Sequence, residues 1–290
     1  MIVYYLLIPI LYFFAYLPTN LLYKLAYPIA FVLRDVIGYR KKVVYTNIRN
    51  SFPEKSEAEV NAIARESYRH LADRVVENLK CMTITMPEVE ERVVITNPEM
   101  LHEVYNRGQH LVMMVGHIAT WEFGGYRAVT ASEHDNFAIV APVTNKRFNK
   151  LIQRTRGKMG MNLIMMNESK AFFAQPLTKP TAGIFISDQS PSNMKTCYWT
   201  NFLNQDSAFF TGAERYARMH NAAVIYPKIT ERKHGYFNAE IIKITDHPNS
   251  LPEFGVTEKF VRILEQQIRE NPSDWLWSHR RWKHKRPVTT

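Results

Sequence analysis

The N-terminus places the strongest constraint on the fold of this chain, because residues 1–23 contain no charged side chain. About 20 apolar residues suffice to span a bilayer as a helix, so the segment has the length of a membrane anchor. Pro9 and Pro18 interrupt it and its tyrosines suit the membrane–water interface, so a single span and a shallow hairpin in one leaflet both fit. A buried core helix is the third alternative.

The charges that follow this segment predict its orientation. The segment has neither the basic start nor the small-residue cleavage site of a secretory signal peptide. The first cations of the chain all come after it, at Lys24, Arg34, Arg40, Lys41 and Lys42. Since cytoplasmic flanks carry the excess of Lys and Arg, we expect residues 1–33 to anchor the chain and residues 34–290 to fold on the cytoplasmic side.

Short apolar runs alternate with helical patterns through the rest of the chain. Residues 56–80 form the clearest helix, which Ser56 and Glu59 begin with a capping box. Further helices are expected near 98–107, 120–132, 145–159, 211–220 and 256–270. Strands are expected at Val93–Thr96, Leu111–Val115, Phe137–Val140, Leu163–Met165, Gly183–Ser187, Ala223–Tyr226 and Glu240–Ile244. This alternation predicts an α/β fold with a mixed, mainly parallel sheet flanked by helices.

Composition excludes several classes of protein. With 12% aromatic residues and only 11 glycines, the chain is neither collagen-like nor wholly disordered. Its two cysteines, Cys81 and Cys197, make neither a disulfide framework nor a four-thiolate zinc site, and the histidines lack metal-ligand spacing, so no metal or cofactor is expected. The net charge of +10 favours an anionic partner. No nucleic-acid module accompanies the basic C-terminus, so lipid is preferred over nucleic acid.

His117 is the sharpest candidate for chemistry. It follows the apolar run that ends at Val115, so it is predicted at the carboxyl end of a strand, where α/β sheets bind ligands. Glu122 lies about 140° away on a straight helix, so the two side chains meet only if His117 lies in the turn and Glu122 in the opening helix. The carboxylate would then orient an imidazole that acts as a base. An unrelated turn histidine and surface glutamate are the alternative.

These segments resemble the late acyltransferases of lipid A biosynthesis, within the lysophospholipid/glycerolipid acyltransferase superfamily. The superfamily signature His-x4-Asp/Glu corresponds to His117 and Glu122 in GHIATWEFGG. Further blocks of similarity are RKKVVYTNIRNSFPE from Arg40, IFISDQSP from Ile184, FTGAE from Phe210 and WLWSHRRWK from Trp275. Their order, together with the apolar N-terminus, extends the resemblance over nearly the whole chain.

The resemblance implies acyl transfer at the cytoplasmic face of a bacterial inner membrane. The donor would be a fatty acyl thioester on acyl carrier protein, and the acceptor a hydroxyl of a lipid A precursor. His117 would act as the general base and Glu122 would fix its tautomer, with no cofactor. A lysophospholipid or an aminolipid is the alternative acceptor. A non-catalytic peripheral membrane protein with the same fold is the alternative of a different class.

Two strand or helix ends offer further candidate substrate contacts. Thr211 either begins a helix through a capping box with Glu214, or holds a lipid phosphate together with Gly212 at the helix start. Asp188 and Gln189 follow an apolar run and suit either a substrate contact or an ordinary turn.

Three arginines complete the set of candidate substrate contacts. Related enzymes often carry an arginine after the strand that follows the catalytic helix. This chain lacks it there, and Arg154 is a candidate replacement, with a solvated helix face as the alternative. Arg280 and Arg281 lie among tryptophans in the basic tail and are predicted to contact the membrane or a phosphorylated acceptor.

Overall fold

A computed structural model describes residues 2–141, 145–175 and 177–287. The described helices are α1 (Ile2–Ala15), α2 (Thr19–Phe31), α3 (Lys41–Ser51), α4 (Glu57–Lys80), α5 (Met86–Arg92), α6 (Glu99–Asn106), α7 (Trp121–Ala131), α8 (Lys146–Gly157), α9 (Ser169–Phe173), α10 (Gly212–Met219) and α11 (Gly255–Glu270). The strands are β1 (Val93–Ile95), β2 (Leu111–Val115), β3 (Asp135–Val140), β4 (Asn162–Met165), β5 (Thr181–Ile186), β6 (Cys197–Phe202), β7 (Gln205–Phe210), β8 (Ala223–Lys233) and β9 (Tyr236–Thr245).

Seven strands form one sheet in the order β1-β9-β8-β2-β5-β3-β4. All neighbouring strands are parallel except β8 and β9, which form an antiparallel hairpin. The central strands are buried along almost their whole length, as expected for a sheet covered by helices on both faces. The predicted α/β fold with a mixed, mainly parallel sheet is therefore confirmed, and each of the seven expected strands is present.

A second, two-stranded sheet was not predicted. Strands β6 and β7 pair antiparallel, and the turn between them consists of Leu203 and Asn204, both in the left-handed region with φ of 51° and 61°. Two consecutive residues with positive φ suit a tight hairpin turn, but leucine is a rare choice for it. The hairpin therefore lacks the sequence signal by which such turns are recognised.

The predicted capping box at the start of α4 is confirmed. The backbone N–H of Glu59 donates to Ser56 Oγ at 3.4 Å, and the backbone N–H of Ser56 donates to the Glu59 carboxylate at 2.9 Å. Helix α4 then packs against α2, where Leu22, Tyr23 and Ala26 are buried. This contact attaches α2 to the body of the protein.

The apolar N-terminal segment folds as two helices rather than one. Helix α1 ends before Pro18, and α2 runs on into a π-helix at Val32–Val36. Among the described residues, no single helix is long and apolar enough to cross a bilayer. The stretches Leu6–Ala15 and Thr19–Val36 meet that requirement only together, across a bend of 119°. The expected anchor is thus not one continuous helix.

Candidate active site

The register of two central strands brings His117 and Asp188 together. Strands β2 and β5 are parallel neighbours, and Val115 lies opposite Ile186 at their carboxyl ends. The backbone N–H of Ser187 still donates to the Val115 carbonyl at 3.0 Å, so the two chains leave the sheet side by side. His117 and Asp188 are consequently adjacent in space although they are 71 residues apart in sequence. The predicted position of His117 at the carboxyl edge of the sheet is confirmed.

His117 is held by three hydrogen bonds. Its Nδ1 lies 2.6 Å from Asp188 Oδ1, and its backbone N–H donates to Asp188 Oδ2 at 2.8 Å. Its Nε2 lies 3.1 Å from Nε2 of the Gln189 side-chain amide. A carboxylate accepts from Nδ1–H, which leaves the lone pair on Nε2 and makes Nε2 the basic nitrogen of the ring.

Asp188 is enclosed by donors and is 1% exposed. Its Oδ2 also accepts from the indole Nε1–H of Trp275 at 2.8 Å. Burial alone would raise the pKa of this carboxyl group, but the charge of His117 and the hydrogen bonds from His117 and Trp275 outweigh it and hold the pKa at about 2. Asp188 is therefore ionised throughout the neutral range and is equipped to orient and stabilise the imidazolium.

The backbone around His117 is shaped for this contact. A Cβ built on Gly116 would lie 2.7 Å from Leu264 Cδ1 and 3.5 Å from Asp188 Oδ2, so glycine allows the strand end to approach both groups. Ala119, in the turn before α7, adopts a φ of +48°, which is strained for a residue with a side chain. Ile118 forms a β-bridge with Trp275 that fixes this turn to the C-terminal segment.

The carboxylate that contacts His117 is not the expected one. Glu122 pairs with Arg156 of α8, whose Nε lies 3.2 Å from Glu122 Oε2. The first turn of α7 presents Trp121 to the imidazole, with ring centroids 5.1 Å apart, and directs Glu122 towards α8 instead. The expected contact between Glu122 and His117 is therefore absent among the described residues, and Asp188 makes it.

An apolar chamber of about 720 Å³ begins beside His117. Gly116, Ile118 and Trp121 line the end next to His117, and the rest of its wall consists mainly of aliphatic side chains from the sheet and from α7. Two polar side chains of the wall already donate to backbone carbonyls: Gln267 donates to the Ile229 carbonyl at 2.7 Å, and Arg127 donates to the Val93 carbonyl at 3.2 Å. The chamber thus offers an apolar surface, as the walls of ligand pockets mostly do.

Thr211 and Gly212 lie on the other face of the sheet. They line a cavity of about 940 Å³ that includes Phe185, whereas its neighbour Ile184 lines the apolar chamber. The capping box expected at Thr211 is wrong, because its hydroxyl donates to the Thr196 carbonyl at 2.8 Å and caps no helix N–H. Since the hydroxyl is already used, it is poorly placed for a phosphate, while a role for Gly212 stays a prediction.

Glu214, the expected partner in that capping box, is buried for another reason. Its Oε2 accepts hydrogen bonds from the backbone N–H and the hydroxyl of Thr257, at 2.8 and 2.6 Å. Its Oε1 accepts from Arg218 at 2.6 Å. Glu214 therefore joins α10 to the start of α11.

The structure shows where the three candidate arginines lie. Arg281 is 1% exposed, donates to the Ala208 carbonyl at 2.6 Å and lies 4.3 Å from the ring centroid of Phe209. Its guanidinium therefore makes its contacts inside the protein, and a role in binding substrate stays a prediction. The hairpin β6–β7 covers Arg281. Arg280 and Arg154 are exposed, and neither lines the cavities beside His117. On α8 it is Arg156, not Arg154, that reaches α7.

Comparison with known proteins finds one matching family and several similar proteins. The model of the family described as "Bacterial lipid A biosynthesis acyltransferase" matches residues 1–284. The chain is 25% identical over 285 residues to the lipid A biosynthesis palmitoleoyltransferase of Escherichia coli (strain K12), covering 96% of this chain and 90% of that protein. The lipid A biosynthesis acyltransferase of Shigella flexneri gives the same figures. The lipid A biosynthesis lauroyltransferase of Escherichia coli (strain K12) is 20% identical over 281 residues, covering 95% and 90%.

Proposed function

We propose a specific reaction for this chain on the premise that it belongs to the bacterial lipid A biosynthesis acyltransferase family and is an acyltransferase. The reaction is transfer of a fatty acyl chain from the thioester of acyl carrier protein to a free hydroxyl of a lipid A precursor. The observation that carries the proposal is the pair formed by His117 and Asp188 at the mouth of an apolar chamber. It provides a base, an orienting carboxylate and space for an acyl chain in one place.

His117 acts as the general base in this proposal. Its Nε2 removes the proton from the acceptor hydroxyl while the oxygen attacks the thioester carbon, which forms the C–O bond. The tetrahedral intermediate then collapses and the C–S bond breaks. The leaving thiolate takes the proton back from the imidazolium. General-base assistance of this kind is worth about 10²–10⁴-fold in rate, and Asp188 stabilises the imidazolium between the two steps.

Gln189 and Glu122 have supporting roles. The Gln189 amide occupies Nε2 in the absence of substrate, so the acceptor hydroxyl replaces it there, and its N–H groups become free to donate to the oxyanion. Glu122 holds Arg156 at the start of α7 and so keeps α8 against the helix that carries Trp121. Asp188 takes over the tautomer-fixing role that was expected of Glu122.

The donor's acyl chain occupies the apolar chamber. Gly116, Ile118 and Trp121 place the mouth of the chamber next to His117, which is where the thioester carbonyl must lie. Each methylene buried there contributes about 0.8 kcal/mol to binding. Gly125 also lines the chamber, and a Cβ at that position meets no atom within 4 Å, so this wall faces empty space.

The protein contacts the inner membrane through the expected anchor, residues 1–33, and through the residues that follow it as far as Tyr39, with the catalytic domain on the cytoplasmic face. Exposed apolar side chains of this segment include Phe13, Tyr16, Phe31, Val36 and Ile37. Contiguous exposed apolar surface on a folded protein marks a site of contact with lipid or protein. Because α1 and α2 meet at a bend of 119°, the pair is better suited to shallow insertion into one leaflet than to a straight span.

The test is acyl transfer by the purified full-length protein. It uses lipid A precursor in mixed micelles with a fatty acyl thioester of acyl carrier protein, and the same acyl chain on coenzyme A as the comparison donor. We expect transfer from the carrier protein, and loss of transfer in His117→Ala with an unchanged melting temperature. His247, an exposed histidine outside the site, provides the matched control in His247→Ala. Undiminished transfer by His117→Ala would overturn the assignment of the base.

A further inference from the structure

A groove of about 880 Å³ runs along the outer side of the catalytic pair. One end includes Trp121 and Gln189, whose side chains contact the His117 ring. The other end includes Tyr39 and Arg40, just before α3. The groove therefore connects the basic nitrogen of His117 with the surface, on a different route from the apolar chamber. Trp121 lines both spaces and separates them.

The groove is cationic. Its described lining includes two arginines, Arg40 and Arg74, and no Asp or Glu. Arg74 is buried and its charge is matched by Glu77, at 2.6 Å. Arg40 is exposed, and within the described part of the chain it has no acidic partner at ion-pair distance. The charge that the groove offers to a ligand is therefore mainly that of Arg40.

Arg40 is held in place before any ligand binds. Its backbone lies in the left-handed region with φ of 51°, where it precedes the first residue of α3. Its Nη1 donates to the Ser278 carbonyl at 2.9 Å, and its guanidinium lies 5.5 Å from the ring centroid of Tyr39. One edge of the guanidinium is thus fixed, while its remaining donors are free for a planar or tetrahedral anion.

The outer end of the groove adjoins the exposed apolar surface of the N-terminal segment. Tyr39 lines the groove, and Val36 and Ile37, three and two residues before it in sequence, are exposed by 67% and 64%. A lipid can keep its hydrocarbon chains against this surface while its head group enters the groove. Such a ligand needs an anionic group near Arg40 and a hydroxyl that reaches Gln189 and His117.

We propose that this groove binds the acceptor lipid and that Arg40 binds a phosphate ester of its head group. The inference rests on the proposed acyl transfer to a lipid hydroxyl, and it assigns phosphate binding to Arg40 in place of Thr211 and Arg281. A phosphate group is also present in the prosthetic group of acyl carrier protein and in free inorganic phosphate. The experiment must therefore separate three sources of the same chemistry.

The experiment measures steady-state kinetics of the full-length protein with a phosphorylated lipid A precursor and with the same lipid after phosphatase treatment. Loss of a charge-assisted contact in Arg40→Gln is expected to raise the KM for the phosphorylated acceptor on the order of tenfold or more. Its KM for the dephosphorylated acceptor and for the acyl donor should equal the wild-type values. Arg40→Lys should restore part of the difference. Arg65→Gln, which changes an exposed arginine of α4 outside the groove, is the control.

Three other outcomes overturn the proposal. An equal rise in KM for both acceptors shows that Arg40 supports the fold rather than a phosphate. A rise in the KM for the donor alone assigns the site to acyl carrier protein. Inorganic phosphate binding that depends on Arg40, without any preference for the phosphorylated acceptor, identifies a site for free phosphate. If the wild type acylates neither lipid, the proposed function fails, and calorimetric binding of the two lipids to wild type and Arg40→Gln still tests the groove.

Discussion

Replacement of Asp188 by asparagine tests the geometry of the site most sharply. Asp188 Oδ2 faces two donors, the backbone N–H of His117 and the indole N–H of Trp275, both at 2.8 Å. In Asp188→Asn the amide oxygen must take that position, because an NH₂ group there would face two N–H groups. The NH₂ group is then directed at His117 Nδ1. This arrangement forces the imidazole proton onto Nε2 and removes the base.

The expected magnitudes follow from the same contacts. A wrong tautomer removes general-base assistance, so kcat should fall by about 10²–10⁴-fold. Stability should change with pH as well, since the folded pKa of Asp188 is about 2 against an ordinary value of 3.8. That shift corresponds to roughly 2 kcal/mol of stabilisation. Because the folded pKa is the lower one, this stabilisation is complete above about pH 4 and is lost as the pH falls towards about 2.

The assay combines kinetics with denaturation. Acyl transfer is measured for wild type, Asp188→Asn and Glu122→Gln across the pH range, and urea unfolding is followed at a neutral and at an acidic pH. The stability difference between wild type and Asp188→Asn should narrow at the acidic pH. An Asp188→Asn variant with wild-type kcat would refute the tautomer argument. So would a Glu122→Gln variant that alone alters the pH–rate profile.

Three further substitutions probe the chamber, its wall and the tail. Trp121→Ala should raise the ratio of free fatty acid to transferred acyl chain severalfold, because water then passes between the chamber and the groove and hydrolyses the thioester. Trp199→Ala is the control. An unchanged product ratio in Trp121→Ala would contradict the role of the indole as a barrier. Gly125→Leu places four carbons in the chamber, so the acyl chain of the preferred donor should be shorter by about two to four carbons. Competition between thioesters of different chain length measures this preference. An unaltered preference would place the acyl chain elsewhere. Arg281→Met should lower the free energy of unfolding by about 1–3 kcal/mol, because the Ala208 carbonyl loses its donor, and should leave the KM for the acceptor unchanged.

The sheet was predictable from the sequence because its strands are buried on both faces. Such strands are short continuous apolar runs, as in Leu111–Val115, and each run expected on that basis is a strand of the large sheet. The hairpin β6–β7 was not predictable in the same way. Its strands mix polar and aromatic residues, and its turn places a leucine at positive φ, which no local rule anticipates.

The site was predictable only in part, for a reason that lies in the sheet. Local spacing predicts Glu122, five residues after His117, as the partner of the imidazole. The partner in the structure is Asp188, because the register of the two strands aligns Val115 with Ile186. The apolar run before Asp188 was the available signal, since it also predicted a residue at the carboxyl edge of the sheet. Recognition of the pair requires the strand order, which a single sequence does not contain.

The C-terminal tail illustrates a second limit. Tryptophans interleaved with arginines suit a membrane interface and a buried stack equally well. The structure selects burial, because β6 and β7 cover the tail: Arg281 lies on Phe209, and Trp282 donates to Ser207 Oγ at 2.7 Å. Trp275 thereby becomes part of the candidate active site through its hydrogen bond to Asp188, a contact that composition alone does not reveal.

Mass spectrometry of lipid A from cells with and without this gene tests the central claim most directly. We expect the deletion strain to lack one acyl chain per lipid A molecule. The wild-type gene should restore that chain, and His117→Ala, expressed at the same level with the same melting temperature, should not. Lipid A of unchanged mass in the deletion strain would contradict the proposed acceptor. Full restoration by His117→Ala would contradict the proposed base.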